Sequence, residues 1–185
     1  SKSASTILRK TTMLDKFAVP IALTKTSSNG YFIGGYTMDG SLLIAKLKSN
    51  GSLIFKKEFG TKNFDKMNKL VLLKDGGVLA IGSSTTSRES NDPIFKTGLG
   101  LDDIFLTRFS EDGDELWSKK YGTVNDDIGI DAVEAQDGSI IVLSQTSYAN
   151  NKNMTIMRIT QNGNKIWMKI YESKRKNTPY KIIKL

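Results

Sequence analysis

The sequence predicts an all-β chain in which one four-stranded antiparallel unit of about 50 residues is written three times. Three observations predict it. A phrase recurs in step, "GSLIFKKEFG" at 51–60, "GDELWSKKYG" at 113–122 and "GNKIWMKIYE" at 163–172. An Asn-Gly or Asp-Gly dipeptide stands between two apolar runs once per unit, a strong local hairpin signal. Apolar residues alternate or run in short blocks broken by Gly, which does not fit helical periodicity.

Each unit opens on a strand before its dipeptide: "AVPIALTKT", "MNKLVLLK" and "GIDAVEAQ". The dipeptides Asn29-Gly30, Asp75-Gly76 and Asp137-Gly138 then favour two-residue turns with positive φ. A second strand follows in "YFIGGYT", "GVLAIGSST" and "SIIVLSQTS". The third strand ends at Leu47, Phe109 and Ile159, each preceded by a base, Lys46, Arg108 and Arg158. Four residues on stand Gly51, Gly113 and Gly163. The fourth strand carries Phe55, Trp117 and Trp167, then Lys57, Lys119 and Lys169, then Phe59, Tyr121 and Tyr171. Alternate residues share a strand face, so these nine point one way, whereas Ile54, Leu116 and Ile166 point the other. The rows read as packing between units, with Trp and Tyr tips finding hydrogen bonds; a sugar-stacking surface is the other reading.

Four strands per unit at this spacing is the pattern of β-propeller blades. The expected fold is therefore a β-propeller-like array of about three four-stranded antiparallel blades plus terminal strands, in a single domain over 1–185. The units run approximately 14–60, 61–122 and 123–172, with extra strands at 5–13 and 179–185. A first strand and a fourth strand are not neighbours within a blade, so the two extra strands do not build a regular fourth blade. Either the propeller is small and irregular, or it is an incomplete, open arc whose edges need covering. "DGGVLAIGSST", "DDIFLTRFSEDGDELWSKKYG" and "DDIGIDAVEAQDGSIIVLSQT" resemble the tandem repeats of bacterial propeller-like proteins, nearly throughout the chain. The resemblance implies a scaffold fold and supplies no catalytic motif. The first copy departs from the pattern with Phe for Trp, and the last lacks the Gly after Tyr171.

Composition narrows the chemistry. The 185 residues include no His and no Cys, which removes imidazole bases, thiolate nucleophiles and disulfides. The longest apolar runs are far short of the roughly 20 residues a membrane helix needs. The start, "SKSASTILRK", has no charged-then-apolar leader, so any export signal has been removed or never existed. Net charge is +8, but it is laid out in blocks: residues 1–74 carry +9, 75–137 carry −9 and 138–185 carry +8. The acidic middle argues against nucleic acid, which asks for one continuous positive face.

Candidate partner-binding residues lie in two places. The connection after the second strand of the middle unit, "TTSRESNDPIFKTGLGL", is the longest of its kind and holds Ile94, Phe95, Leu99 and Leu101. Long loops on rigid scaffolds are where function tends to sit. The tail "ESKRKNTPYKIIKL" holds Lys174, Arg175 and Lys176, a basic run that suits an acidic protein face or a peripheral contact with anionic lipid. "EDGDE" at 111–115 lacks calcium-loop spacing and reads as a turn. Asp102-Asp103 and Asp126-Asp127 stand at strand starts, where carboxylates accept backbone N–H groups. No catalytic residue, metal site or cofactor is expected. The function expected is a noncatalytic scaffold or adaptor of the bacterial periplasm or cell envelope, exported, making protein–protein contacts by self-association or within a larger assembly such as a flagellar motor. The alternative is a propeller module that binds glycan or peptidoglycan.

Overall fold

A computed structural model describes residues 18–37, 40–61, 65–85, 102–148, 151–172 and 178–183. They hold twelve strands and no helix. The strands form three four-stranded antiparallel sheets, each made of four consecutive strands in chain order. Sheet 1 comprises β1 (Ala18–Lys25), β2 (Tyr31–Thr37), β3 (Leu42–Leu47) and β4 (Leu53–Phe59). Sheet 2 comprises β5 (Asp65–Leu72), β6 (Val78–Thr85), β7 (Asp102–Phe109) and β8 (Glu115–Tyr121). Sheet 3 comprises β9 (Asp127–Glu134), β10 (Ile140–Tyr148), β11 (Asn151–Ile159) and β12 (Lys165–Tyr171).

Sheets meet face to face, and two apolar cores fill the gaps. Phe32, Leu42 and Ile44 of sheet 1 pack with Met67, Val78, Phe105 and Phe109 of sheet 2. Leu79, Ile81, Ile104 and Leu106, on the opposite face of sheet 2, pack with Ala132, Val142, Met157 and Ile159 of sheet 3. First strands lie towards a shared axis, β1 beside β5 and β5 beside β9. Sheet 2 is thus covered on both faces, and β6 and β7 are buried along nearly their whole length. No apolar core joins sheet 3 back to sheet 1 among the described residues. The array is propeller-like and open, the incomplete arc that the strand count allowed.

The turns differ in kind from the expectation. Asn29, Gly76 and Gly138 occupy equivalent places, each with positive φ and each donating its N–H to a carbonyl three residues back, while Thr26, Leu73 and Ala135 donate theirs to the carbonyls of Gly30, Gly77 and Ser139. The same pair of bonds closes the turns at 48–52, 110–114 and 160–164. These are three-residue hairpin loops, a type I turn followed by one left-handed residue, not two-residue loops. Asn29 therefore matches Gly76 rather than Asp75, so the first dipeptide is offset by one. An Asn accepts left-handed backbone better than most residues, which lets it stand in for Gly.

Bulges recur as faithfully as turns. Pairing skips Ile54, Leu116 and Ile166, the extra residue of each fourth strand. Those side chains are about half exposed at 50%, 51% and 51%. They are displaced by the bulge rather than simply turned to a second packed face. Residues 5–13 lie outside the described residues. The strand expected over 179–185 is not formed by its described part, 179–183. There the Ile182 N–H donates to an Asp131 carboxylate oxygen at 3.3 Å, not to a sheet neighbour.

Candidate interaction surface

The repeated side chains of the fourth strand, with the base near the end of the third, grip the following sheet at its turn between third and fourth strands. From sheet 2, Arg108 Nη1 and Trp117 Nε1 both donate to the Gln161 carbonyl at 2.8 Å. Lys119 Nζ donates to the Asn162 carbonyl at 2.7 Å and to Asn164 Oδ1 at 3.0 Å. Tyr121 donates its hydroxyl to the Gly163 carbonyl at 2.6 Å. Four donors therefore read four consecutive positions of one turn. Burial against that turn pushes the Tyr121 phenol well above its ordinary value, so it remains a donor at any physiological pH.

Sheet 1 holds sheet 2 by the same device with partly different residues. Lys46 Nζ donates to the Glu111 carbonyl at 2.9 Å and pairs with its carboxylate at 3.2 Å. Lys57 Nζ reaches Asp114 Oδ1 at 3.1 Å. Phe55 covers Gly113, where an added Cβ would land in its ring. Phe59 packs edge-on against Phe109, centroids 4.9 Å apart. Phe55 and Phe59 lack polar tips, so lysine–acid pairs do here what Trp and Tyr do at the next joint. Glu111 and Asp114 of "EDGDE" thus serve as lysine partners.

Sheet 3 carries the complete set, Arg158, Trp167, Lys169 and Tyr171, with no following turn against it among the described residues. Arg158 is held as Arg108 is. Its Nη2 pairs with Asp137 at 2.5 Å, as Arg108 Nη2 pairs with Asp75 at 2.5 Å, and its Nε donates to Ser139 at 2.9 Å. The covering differs: the Arg108 side chain is 8% exposed and the Arg158 side chain 33%. Lys169 sits over the Trp167 ring at 5.9 Å, as Lys119 sits over Trp117 at 5.9 Å. Tyr171 is 44% exposed. The surface is a row of donors mounted on the last two strands of sheet 3. Hydrogen bonds from its own first hairpin lower the Asp137 carboxyl below the usual range, Ser139 contributing most and Arg158 adding to it, so Arg158 keeps an ionised partner.

The strand-start aspartates serve the connections between sheets. Asp127 Oδ2 accepts from the Thr123 N–H at 2.6 Å and its hydroxyl at 2.9 Å, and its other oxygen accepts from Thr146. Asp65 does the same for Thr61, at 2.5 Å and 2.9 Å. Gly122 is packed against the Asp103 and Asp127 carboxylates, which explains the Gly that follows Tyr121. Among the described residues no three potential metal-ligating side chains converge.

All seven residues singled out from sequence, Ile94, Phe95, Leu99, Leu101, Lys174, Arg175 and Lys176, lie outside the described residues. The donor row was visible in the sequence as a repeat. What no sequence signal showed was which copy has no turn against it among the described residues.

No family model matches the chain, and no curated protein matches it either. Solved structures do resemble it in fold. A eukaryotic initiation factor superposes at a TM-score of 0.57 with 8% identity, over 89% of this chain and 35% of that one. This chain therefore spans about a third of that neighbour's length, and identity so low shows the fold alone. An ACO/RPE65 chimera (TM-score 0.49, 12% identity, 82% of this chain and 37% of that one) and a protein of unknown function from Bacteroides caccae (0.32, 9%, 85% and 83%) are weaker likenesses that support nothing further.

Proposed function

We propose that this chain is a noncatalytic scaffold of the bacterial tandem-repeat propeller kind, working in the periplasm or cell envelope, and that the open end of sheet 3 takes a protein partner within a larger assembly such as a flagellar motor. The observation that carries the reading is the row Arg158, Trp167, Lys169 and Tyr171. Its counterparts on sheets 1 and 2 hold protein, and this third copy is built and oriented, with no turn against it among the described residues. Absence of His and Cys leaves the chain without the side chains that most often serve as neutral-pH base or thiolate nucleophile, in keeping with a binding role. Affinity capture from a bacterial envelope extract tests the reading. The parent chain should retain a specific partner that the double variant Trp167→Ala, Tyr171→Ala loses while keeping its far-ultraviolet spectrum. Equal capture by both would remove sheet 3 from the account.

A second reading has its own support. Trp167 and Tyr171 form a half-exposed aromatic row, and such rings stack on sugar faces. A glycan and muropeptide array separates the two, since sustained binding abolished by the same double variant would favour the carbohydrate reading.

A further inference from the structure

We infer that the Asn162-Gly163 bond is a site of spontaneous deamidation, and that the donor row of sheet 2 is the brake on it. The site lies inside the chain, at the joint between sheets 2 and 3, and stands apart from any partner. Opening of that joint releases the bond to its own chemistry, and the product keeps the joint from closing as before.

Asn-Gly pairs stand at 29–30, 50–51 and 162–163, and the last lies in the turn that sheet 2 grips. Glycine has no Cβ to hinder its amide nitrogen, so this pair closes a ring more readily than other Asn-X pairs. The Gly163 nitrogen attacks Asn162 Cγ, and the new C–N bond closes a five-membered imide. The side-chain nitrogen leaves as ammonia, taking the Gly163 N–H proton. Water then adds to one of the two imide carbonyls. Addition at Cγ breaks the bond just formed and leaves an aspartate. Addition at the main-chain carbonyl breaks the original peptide bond, so the chain runs on through Cβ and Cγ and leaves a free carboxylate. The backbone of the turn is then one carbon longer.

The native turn forbids the ring. Gly163 donates its N–H to the Thr160 carbonyl at 3.0 Å, and an imide nitrogen has no hydrogen to give. The ring also needs Asn162 Cβ and the Gly163 nitrogen on one side of the bond between Cα and the carbonyl carbon. A type I turn holds those atoms apart, with ψ of about 0° at its second central residue. Closing the ring therefore swings the Asn162 carbonyl off Lys119 Nζ, its partner at 2.7 Å. Gly163 is walled in as well: an added Cβ would lie 2.9 Å from the Tyr121 hydroxyl, 3.0 Å from Lys119 Cδ and 3.2 Å from Trp117 Cδ2. Arg108 and Trp117 hold the Gln161 carbonyl, and Tyr121 holds that of Gly163. The carbonyls of residues 161 to 163 are thus fixed by sheet 2, while the Asn162 side chain stays exposed. An extra backbone carbon would move the Gly163 carbonyl relative to that of Gln161, so Trp117 and Tyr121 would no longer reach both. Asn29 is guarded differently, because Gly30 donates its N–H to Thr26 Oγ1 at 2.8 Å, a bond internal to sheet 1.

Peptide mapping of the full chain, incubated in mildly alkaline buffer with and without urea, tests it. The tryptic peptide 159–165 reports Asn162 and the peptide 26–46 reports Asn29, each by its gain in mass and by fragments that place the isoaspartate. Conversion takes far longer than opening and closing, so its rate follows the open fraction of the joint. Asn162 should convert roughly tenfold or more slowly in the folded chain than in urea. Trp117→Phe and Tyr121→Phe each remove one bond to the turn and should speed conversion at Asn162 about fivefold, with Asn29 unchanged. Asn162 left intact in urea, or converting equally fast folded and unfolded, overturns the inference. So do equal rates in parent and variants, or Asn29 accelerating in step with Asn162, which would mark a general loosening of the fold. The converted chain, separated by cation exchange, should exchange the amides of residues 160–164 roughly tenfold faster than the parent. Unchanged exchange there overturns the claim that the product unlocks the joint.

Discussion

Gly40 and Gly113 share a left-handed backbone, φ +91° and +85°, yet a methyl group added to each meets different surroundings. At Gly40 nothing lies within 4 Å, whereas at Gly113 the added carbon falls into the Phe55 ring. Gly40→Ala should therefore cost only the backbone term of about 1–2 kcal/mol. Gly113→Ala should add an overpacking cost of about 1–3 kcal/mol, read as the difference between two urea unfolding curves. Asp127 supplies a pH signature. Burial raises its carboxyl above the ordinary value and the neighbouring Asp126 charge adds to the rise, against hydrogen bonds from Thr146 and Thr123 that oppose it. Folding thus favours the protonated form. The stability this group contributes is fully present below about pH 4 and is lost as pH rises through the raised folded value. Asp127→Asn should remove that share, so the stability advantage of parent over variant should shrink between about pH 4 and pH 7. A difference that stays constant across that range would show that burial does not govern this carboxyl.

Among elements, β8 and β12 carry the same signature residues and differ in what lies opposite. Trp117→Phe removes one donor from the Gln161 carbonyl and should cost about 1 kcal/mol in denaturant titrations. Trp167→Phe removes a donor with no acceptor among the described residues and should stay within about 0.5 kcal/mol. Strand existence, order and the phase of the aromatic row were legible in the sequence, because a period of two marks a face. Legibility stopped where a second strand was needed to define a position. The bulges at Ile54, Leu116 and Ile166 are shifts in pairing, and alternation read along one strand has no means of showing them. Asn29 misled for a related reason: its neighbour is a Gly, but the left-handed residue is the Asn itself. The aspartates at strand starts were read by their local chemistry, and Asp127 does accept the backbone N–H expected of such a site.

For the whole molecule, the repeat count made a propeller-like array readable, while its closure depended on contacts between units far apart in the chain. Burial is graded across the arc. Sheet 2 has a core on each face, whereas β4 and β12 are largely exposed. Amide exchange should follow that grading, slowest in β6 and β7 and fastest among the strands in β4 and β12, as measured by mass spectrometry under native conditions. Equal protection of all three sheets would mean the chain opens as one cooperative body. The site was half legible: Arg158, Trp167, Lys169 and Tyr171 were marked as a repeat, but only the fold shows that no turn meets their row among the described residues.

The hold between neighbouring sheets runs one way, from the last two strands of one sheet to the bend between the last two strands of the next. A gene segment encoding one whole sheet carries both a grip and a bend to be gripped, so a duplicate inserted beside its original brings the backbone half of its new joints with it. Arrays of this design lengthen in whole modules.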